Sequence, residues 1–242
     1  MPRGPQPADP GLFGAKQTPK LRQALAELAW LLSRGYVLNS SLKLVGDRHS
    51  LVARQREALS RAACTDAERS ERANKRRGVE TLSGAAIGID AFNLVITVES
   101  AMAGGVLVRG RDGALRDLAS VHGSYRRAEH THAAIDAVAT RLDAHGVAEA
   151  HWLLDRPVSN SGRLAGWIRD VGERADRRWT VELVDNPDRV LIDGTVPVVS
   201  SDAWVISSAG AWIDLVSDVI EHCVDDPWIV DLSRPPTPSA RE

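Results

Sequence analysis

Three short apolar runs, each closing on an aspartate, constrain this chain more than any other feature. They are Ala85-Ala86-Ile87-Gly88-Ile89-Asp90, His151-Trp152-Leu153-Leu154-Asp155 and Val196-Pro197-Val198-Val199-Ser200-Ser201-Asp202. Short apolar runs set between stretches of helical spacing read as buried parallel strands. Strands alternating with helices imply an α/β fold, with a mostly parallel sheet flanked by helices. In such a sheet the ligand crevice lies beyond the carboxyl ends of the strands. Three carboxylates gathered there repel one another, and a hard divalent cation with oxygen ligands is the simplest relief. The pattern points to metal-assisted chemistry on phosphate esters, with Asp90, Asp155 and Asp202 as the candidate catalytic and metal-ligating residues. Each aspartate taken alone also reads as the cap of the helix that follows its strand.

The rest of the chain falls into parts around that core. Residues 1–15 read as a disordered tail with no secretory signal, and residues 234–242, where Pro235, Pro236 and Pro238 cluster, as a second one. Residues 16–77 read as a small all-helical module. Leu21, Leu25, Leu28 and Leu32 make one helix face, and Gly35 ends that helix. Two further helices are expected near 40–45 and 50–63, and Thr65 with Glu68 has the spacing of a capping box for a fourth. Residues 78–233 read as the α/β domain. Besides the three aspartate-ended strands, a strand is expected over 179–184 and a short last one at Trp228-Ile229-Val230. A hairpin turning at Asp112-Gly113 and helices over about 92–102, 128–145 and 212–223 complete the pattern, with another beginning near Asn160. Trp30, Trp152, Trp204 and Trp212 lie in apolar contexts and read as core.

A net charge of -2 hides an asymmetry: residues 1–77 carry 15 basic against 7 acidic side chains, and residues 78–242 carry 15 against 25. A basic module joined to an acidic one suggests that the first holds a polyanion and the second metal ions. Lys43, Arg54, Arg61, Arg69, Arg72 and Arg76 are the candidate contacts to a phosphate backbone. The competing view is that the two halves attract each other. Cys64 and Cys223 stand far apart, outside any metal-ligand spacing, which fits a reducing cytoplasm. No run approaches the roughly 18 apolar residues of a membrane span.

Further residues support the aspartates. Asn93 lies one helical turn beyond Asp90, suited to a metal-bound water or a phosphate. The segment Asp155-Arg156-Pro157-Val158-Ser159-Asn160-Ser161-Gly162-Arg163 gathers polar groups at a helix start, where Ser159, Asn160 or Ser161 can cap, free N–H groups favour an anion, and Arg156 and Arg163 can clamp phosphate. Glu99 and Asp185 are second-tier metal ligands, the latter equally suited to a turn with Asn186-Pro187. The histidines form no metal signature, and the polar loop around His122 reads as structural or phosphate-contacting. The chain has no G-x-x-x-x-G-K-[ST] loop, no Gly-x-Gly-x-x-Gly after the first strand and no Gly-x-Ser-x-Gly, which argues against P-loop, dinucleotide-binding and ordinary α/β-hydrolase chemistry.

Arg34-Gly35-Tyr36, Leu42-Lys43-Leu44-Val45-Gly46-Asp47-Arg48 and Gln55-Arg56 resemble the module known as domain of unknown function 434. Ile89-Asp90-Ala91-Phe92-Asn93, the segment from Asp155 to Arg163 quoted above, and Ser201-Asp202 resemble its usual C-terminal companion, which is similar to the PIN-like nuclease superfamily and its NYN branch. The resemblance covers nearly the whole chain. It implies a parallel sheet with acidic residues at its strand ends that bind Mg²⁺ or Mn²⁺ and hydrolyse RNA or, in some branches, DNA; the family's Asp-x-x-Asn and Ser-Asp patterns match Asp90 with Asn93 and Ser201 with Asp202. Ala203 and Trp204 depart from it where many relatives carry a polar or acidic group. The expectation is a cytoplasmic metal-dependent nuclease acting on RNA, with the basic helices positioning the strand. The alternatives are a non-catalytic nucleic-acid or protein adaptor and a small-molecule phosphatase.

Overall fold

The computed structural model describes residues 4–119 and 130–236. Five helices come first: α1 (Asp9–Phe13), α2 (Thr18–Leu32), α3 (Leu38–Arg48), α4 (Ala53–Ala62) and α5 (Asp66–Lys75). The body then runs β1 (Arg76–Arg77), a 3-10 turn at Val79–Leu82, β2 (Ala86–Asp90), α6 (Ala91–Met102), β3 (Leu107–Arg109), β4 (Leu115–Asp117), α7 (Thr131–Ala144) and β5 (Glu149–Asp155). It continues through α8 (Ser161–Arg174), β6 (Trp179–Val184), α9 (Pro187–Asp193), β7 (Val198–Val199), α10 (Ala203–Ser208), β8 (Trp212–Ile213), α11 (Leu215–Cys223) and β9 (Ile229–Asp231). The α/β class and the leading helical segment are as the sequence predicts.

Six strands form one sheet in the order β1-β8-β7-β2-β5-β6, every pair parallel. β2 is central, with Ile89 opposite Trp152 on one side and Val199 on the other. A strand paired on both edges and covered on both faces must be apolar throughout, which is why Ile87, Ile89 and Trp152 are fully buried. From β2 the chain moves outward through β5 and β6, then returns to lay β7 on the opposite side of β2. The strand order therefore reverses between β2 and β7, and a crevice opens at their carboxyl ends. α9 leans on β2 at Gly88, where a Cβ would stand 2.9 Å from Leu191 Cδ2. A glycine there allows a close approach that a larger residue would obstruct.

The helical segment shares its core with a second, three-stranded sheet ordered β4-β3-β9. Phe13, Leu21, Leu25, Leu28 and Leu59 pack with Val106, Val108, Leu118 and Val230. The hairpin β3–β4 turns at Asp112-Gly113, where Gly113 takes φ +86°. Thr65 and Glu68 form the expected capping box, each bonding the other's backbone N–H at 3.0 and 2.7 Å. Gly35, at φ +81°, ends α2 as expected.

Several expectations need correcting. Residues 9–13 are helical, not a disordered tail: Phe13 is buried in the helical core, and Asp9, fully buried, takes Arg54 at 2.6 and 3.0 Å. Trp212 begins a strand rather than a helix, because it pairs with β1 and β7. β7 stops at Val199, leaving residues 200–202 as a connection. Trp152 and Trp212 are core, but Trp30 and Trp204 are 54% and 48% exposed. α9 and α10 have no counterpart among the expected elements. The loop around His122 lies outside the described residues. Among those described, no helix is long and apolar enough to cross a membrane.

Candidate active site

The end of β2 delivers Asp90 to the crevice, and the first turn of α6 holds it. Its Oδ1 accepts the Asn93 backbone N–H at 3.2 Å and its Oδ2 accepts the Ser200 hydroxyl at 2.9 Å. Asn93 reaches across to the end of β7, where its Oδ1 accepts both the backbone N–H and the hydroxyl of Ser201, at 2.9 and 2.7 Å. These bonds latch the two sides of the switch point together. Ser200 Oγ also accepts the Asp202 N–H at 3.0 Å, and Asp202 Oδ1 caps α10 through the N–H groups of Trp204 and Val205 at 2.8 and 3.1 Å. Asp90 and Asp202 are thus helix caps and crevice residues at once, so the two readings of the sequence are not exclusive.

Burial pushes the Asp90 carboxyl up to about 7, against the opposing pull of its two hydrogen bonds and with help from the negative charges of Asp188 and Asp202. Burial likewise raises Asp155, which stands half-buried at the end of β5. Asp188, in the first turn of α9, is a site residue that the sequence reading did not single out. Burial pushes it up to about 6, and the charges of Asp202 and Asp155 add to the rise. It has no hydrogen-bond or ion-pair partner among the described residues. The signal that announces it is Asn186-Pro187-Asp188, a cap, a proline at the first helical position and an acid in the first turn; Asn186 Oδ1 does accept the Arg189 N–H at 2.9 Å.

Four aspartates therefore line one edge, each within electrostatic reach of another. Among the described residues, no three His, Cys, Asp or Glu side chains stand close enough to share one metal ion directly. The second-tier candidates lie elsewhere. Glu99 is buried on α6 and accepts the Thr131 hydroxyl of α7. Asp185 is exposed and paired with Arg156 at 3.3 Å, while Arg156 also donates to Leu183 O at 2.7 Å. Asn160 adopts φ +68° and does not cap α8 with its side chain; Ser161 is buried and donates to Arg156 O at 3.4 Å. Arg163 is exposed on α8 and forms no ion pair among the described residues.

Behind Asp202 sits a buried cation outside the set that the sequence marks. Arg116 Nε donates to Ser201 O at 2.7 Å, and its fork grips Asp112 at 2.9 and 2.8 Å. Arg72 meets the same carboxylate at 2.6 Å and Ser207 at 2.8 Å. Burial alone would raise Asp112, but Arg116 and Arg72 pull it below the usual carboxylate range.

The basic residues of the helices are mostly turned to the chain's own groups. Arg54, partly buried, and Arg72, buried, are turned against Asp9 and Asp112, which corrects their placement as contacts to a phosphate backbone. Lys43 pairs with Asp47 at 2.7 Å, Arg76 with Asp214 at 2.9 Å, and Arg61 donates to Ala119 O at 3.2 Å. Arg69 is the one of the six that is exposed and without an ion pair among the described residues.

A protein described as uncharacterized from Methanocaldococcus jannaschii is 29% identical over 204 residues, covering 84% of this chain and 97% of its own length. No solved structure matches the chain significantly. A family model described as Protein of unknown function (DUF434) matches residues 20–75, the helical segment. The model described as Domain of unknown function (DUF5616) matches residues 79–218, more than half of the chain, and the chain belongs to that family.

Proposed function

We propose that this protein is a PIN-like, metal-dependent phosphodiester hydrolase acting on RNA. One observation carries the reading: Asp90, Asp155, Asp188 and Asp202 crowd the carboxyl edge at the topological switch point, with Asp90 and Asp188 raised by burial and by neighbouring negative charges. The donor set is hard oxygen throughout, which fits Mg²⁺ or Mn²⁺. Mg²⁺ keeps several waters and commonly takes only one or two carboxylates directly, so such an ion does not require three protein ligands in one sphere. Bound there, the ion would supply a lowered pKa for water and neutralise charge at the phosphoryl group.

The chain's own residues do the positioning. Ser200 and the Asn93 N–H fix the rotamer of Asp90. Ser201 fixes the Asn93 side chain through its Oδ1, and the amide N–H₂ remains a donor for a further acceptor. Asp188, with no hydrogen bond to another described residue, can hold or accept a proton near neutrality. Arg163 is available to a substrate phosphate, and Arg156 becomes so on leaving Asp185.

The test is cleavage of a labelled single-stranded RNA by the full chain with Mg²⁺, Mn²⁺ or chelator. Cation-dependent cleavage is expected, reduced about a hundredfold or more in Asp90→Asn and Asp188→Asn. No cation-dependent cleavage of RNA, or equal cleavage by the variants, overturns the reading. The absence, among the described residues, of three ligands within one coordination sphere favours a second reading, a nucleic-acid-binding adaptor, which predicts RNA binding without turnover. Turnover of small phosphomonoesters alone would instead identify a phosphatase.

A further inference from the structure

A cavity of about 210 Å³ lies where α2, α5, the turn of the β3–β4 hairpin and residues 232–236 meet. Four arginines line it: Arg22, Arg69, Arg111 and Arg234. Three are pinned. Arg22 donates from Nε and Nη2 to Asp231 O at 3.0 and 2.8 Å. Arg111 donates to Cys64 O at 2.6 Å and pairs with Asp66 at 2.7 Å. Arg234 pairs with Asp231 at 3.0 Å. Guanidinium groups held by fixed oxygens lose little freedom when a ligand arrives, which is the condition for tight binding of a small anion.

The charges do not balance. Asp66 answers Arg111 and Asp231 answers Arg234. Neither Arg22 nor Arg69 forms an ion pair among the described residues. Among the described residues, two positive charges are left facing one small space. A ligand with two negative charges and several acceptor oxygens satisfies both the charge and the unused N–H donors. The volume falls below the roughly 300–1,000 Å³ of pockets that enclose whole drug-sized molecules. It suits a compact group with the rest of any ligand outside.

We infer that the cavity bounded by Arg22, Arg69, Arg111 and Arg234 is a binding site for a dianionic phosphoryl group. That group is either free phosphate or the terminal phosphate of a nucleic-acid strand. The site is separate from the aspartate edge and does not depend on hydrolysis there. An anion in it would tie the helical segment to the hairpin and to the C-terminal residues.

The experiment is thermal unfolding of the full chain titrated with inorganic phosphate at constant ionic strength, chloride making up the difference. Two parallel titrations use a 5′-phosphorylated ribo-oligonucleotide and its 5′-hydroxyl counterpart, without divalent cation. Arg69→Gln and Arg234→Gln are the variants, both at exposed side chains where folding should survive. Arg189→Gln, an exposed arginine paired with Asp193, is the control of equal charge change. Phosphate should raise the melting temperature of the wild type and of the control, with apparent affinity about tenfold or more weaker in the two cavity variants. A gain of the phosphorylated strand over the hydroxyl strand, lost in Arg69→Gln, assigns the strand terminus. A response to inorganic phosphate alone assigns the free anion. The general stabilisation of proteins by phosphate acts on all variants alike. An equal shift in wild type, Arg69→Gln and Arg234→Gln, or no shift at all, overturns the proposal.

Discussion

Two buried aspartates, Asp90 and Asp112, sit on either side of Ser201, and they behave in opposite ways. Both are nearly inaccessible to solvent. Asp112 receives the forks of Arg116 and Arg72 and is held below the ordinary range, while Asp90 receives a hydroxyl and one N–H, faces other carboxylates and is pushed up to about 7. Burial is common to both; the sign of the neighbours decides. A carboxylate sealed with its counter-charge is structure. A carboxylate sealed beside like charges is an unfinished ion pair, and this is what marks the edge as the candidate site.

The largest effect should come from breaking the finished pair. Arg116→Met leaves Asp112 buried with Arg72 alone and should lower stability by about 3–5 kcal/mol, read from the urea midpoint at neutral pH. An unchanged midpoint would mean that Asp112 is neutral in the folded protein.

The opposite sign is expected at the unfinished pair. The folded pKa of Asp90 lies above its unfolded value, so between about pH 4 and 7 the folded state binds the extra proton. Its contribution is full below that window and is lost as pH rises through about 7. Asp90→Asn should therefore stabilise the metal-free protein at both pH values, and by roughly 1–3 kcal/mol more at pH 8 than at pH 5. Asp112 has the reverse dependence: its contribution is present at neutral pH and disappears as pH falls below the ordinary carboxylate range. Melting curves of wild type and Asp90→Asn at the two pH values check the Asp90 dependence; a variant equally destabilised at pH 5 and pH 8 would break the comparison.

The smallest effect sharpens it. Ser200→Ala removes the hydroxyl that favours the charged form of Asp90, and about 1 kcal/mol should be lost at pH 8 and less at pH 5. The same melting experiment reads the difference.

Much of this site is legible in the sequence. The runs ending at Asp90 and Asp155 are strands with the expected ends, because so short an unbroken apolar stretch suits a strand buried on both faces and little else. Asn93 sits where one helical turn places it. What the sequence hides is whatever depends on partners far along the chain. Arg54 and Arg72 look like surface charge in a basic helix until Asp9 and Asp112 are brought against them, 45 and 40 residues away. Asp188 is hidden because α9 is only seven residues long, too short for periodicity to show, and its Asn186-Pro187 start also spells a turn. Trp204 sits in a short apolar stretch, yet α10 turns it outward, since six residues offer a single buried face, taken by Val205 and Ile206.

Gly88 has a consequence for how the acidic edge is mounted. Asp90 lies two residues beyond it on the same strand, and Leu191, which rests against it, lies one turn beyond Asp188 on α9. Both carboxylates are thus referenced to a single point on β2, one along the strand and the other through the contact of a helix with bare backbone. The missing side chain sets how near the two can come: a bulkier residue at 88 would press on Leu191 and push α9, and Asp188 with it, away from the strand that carries Asp90.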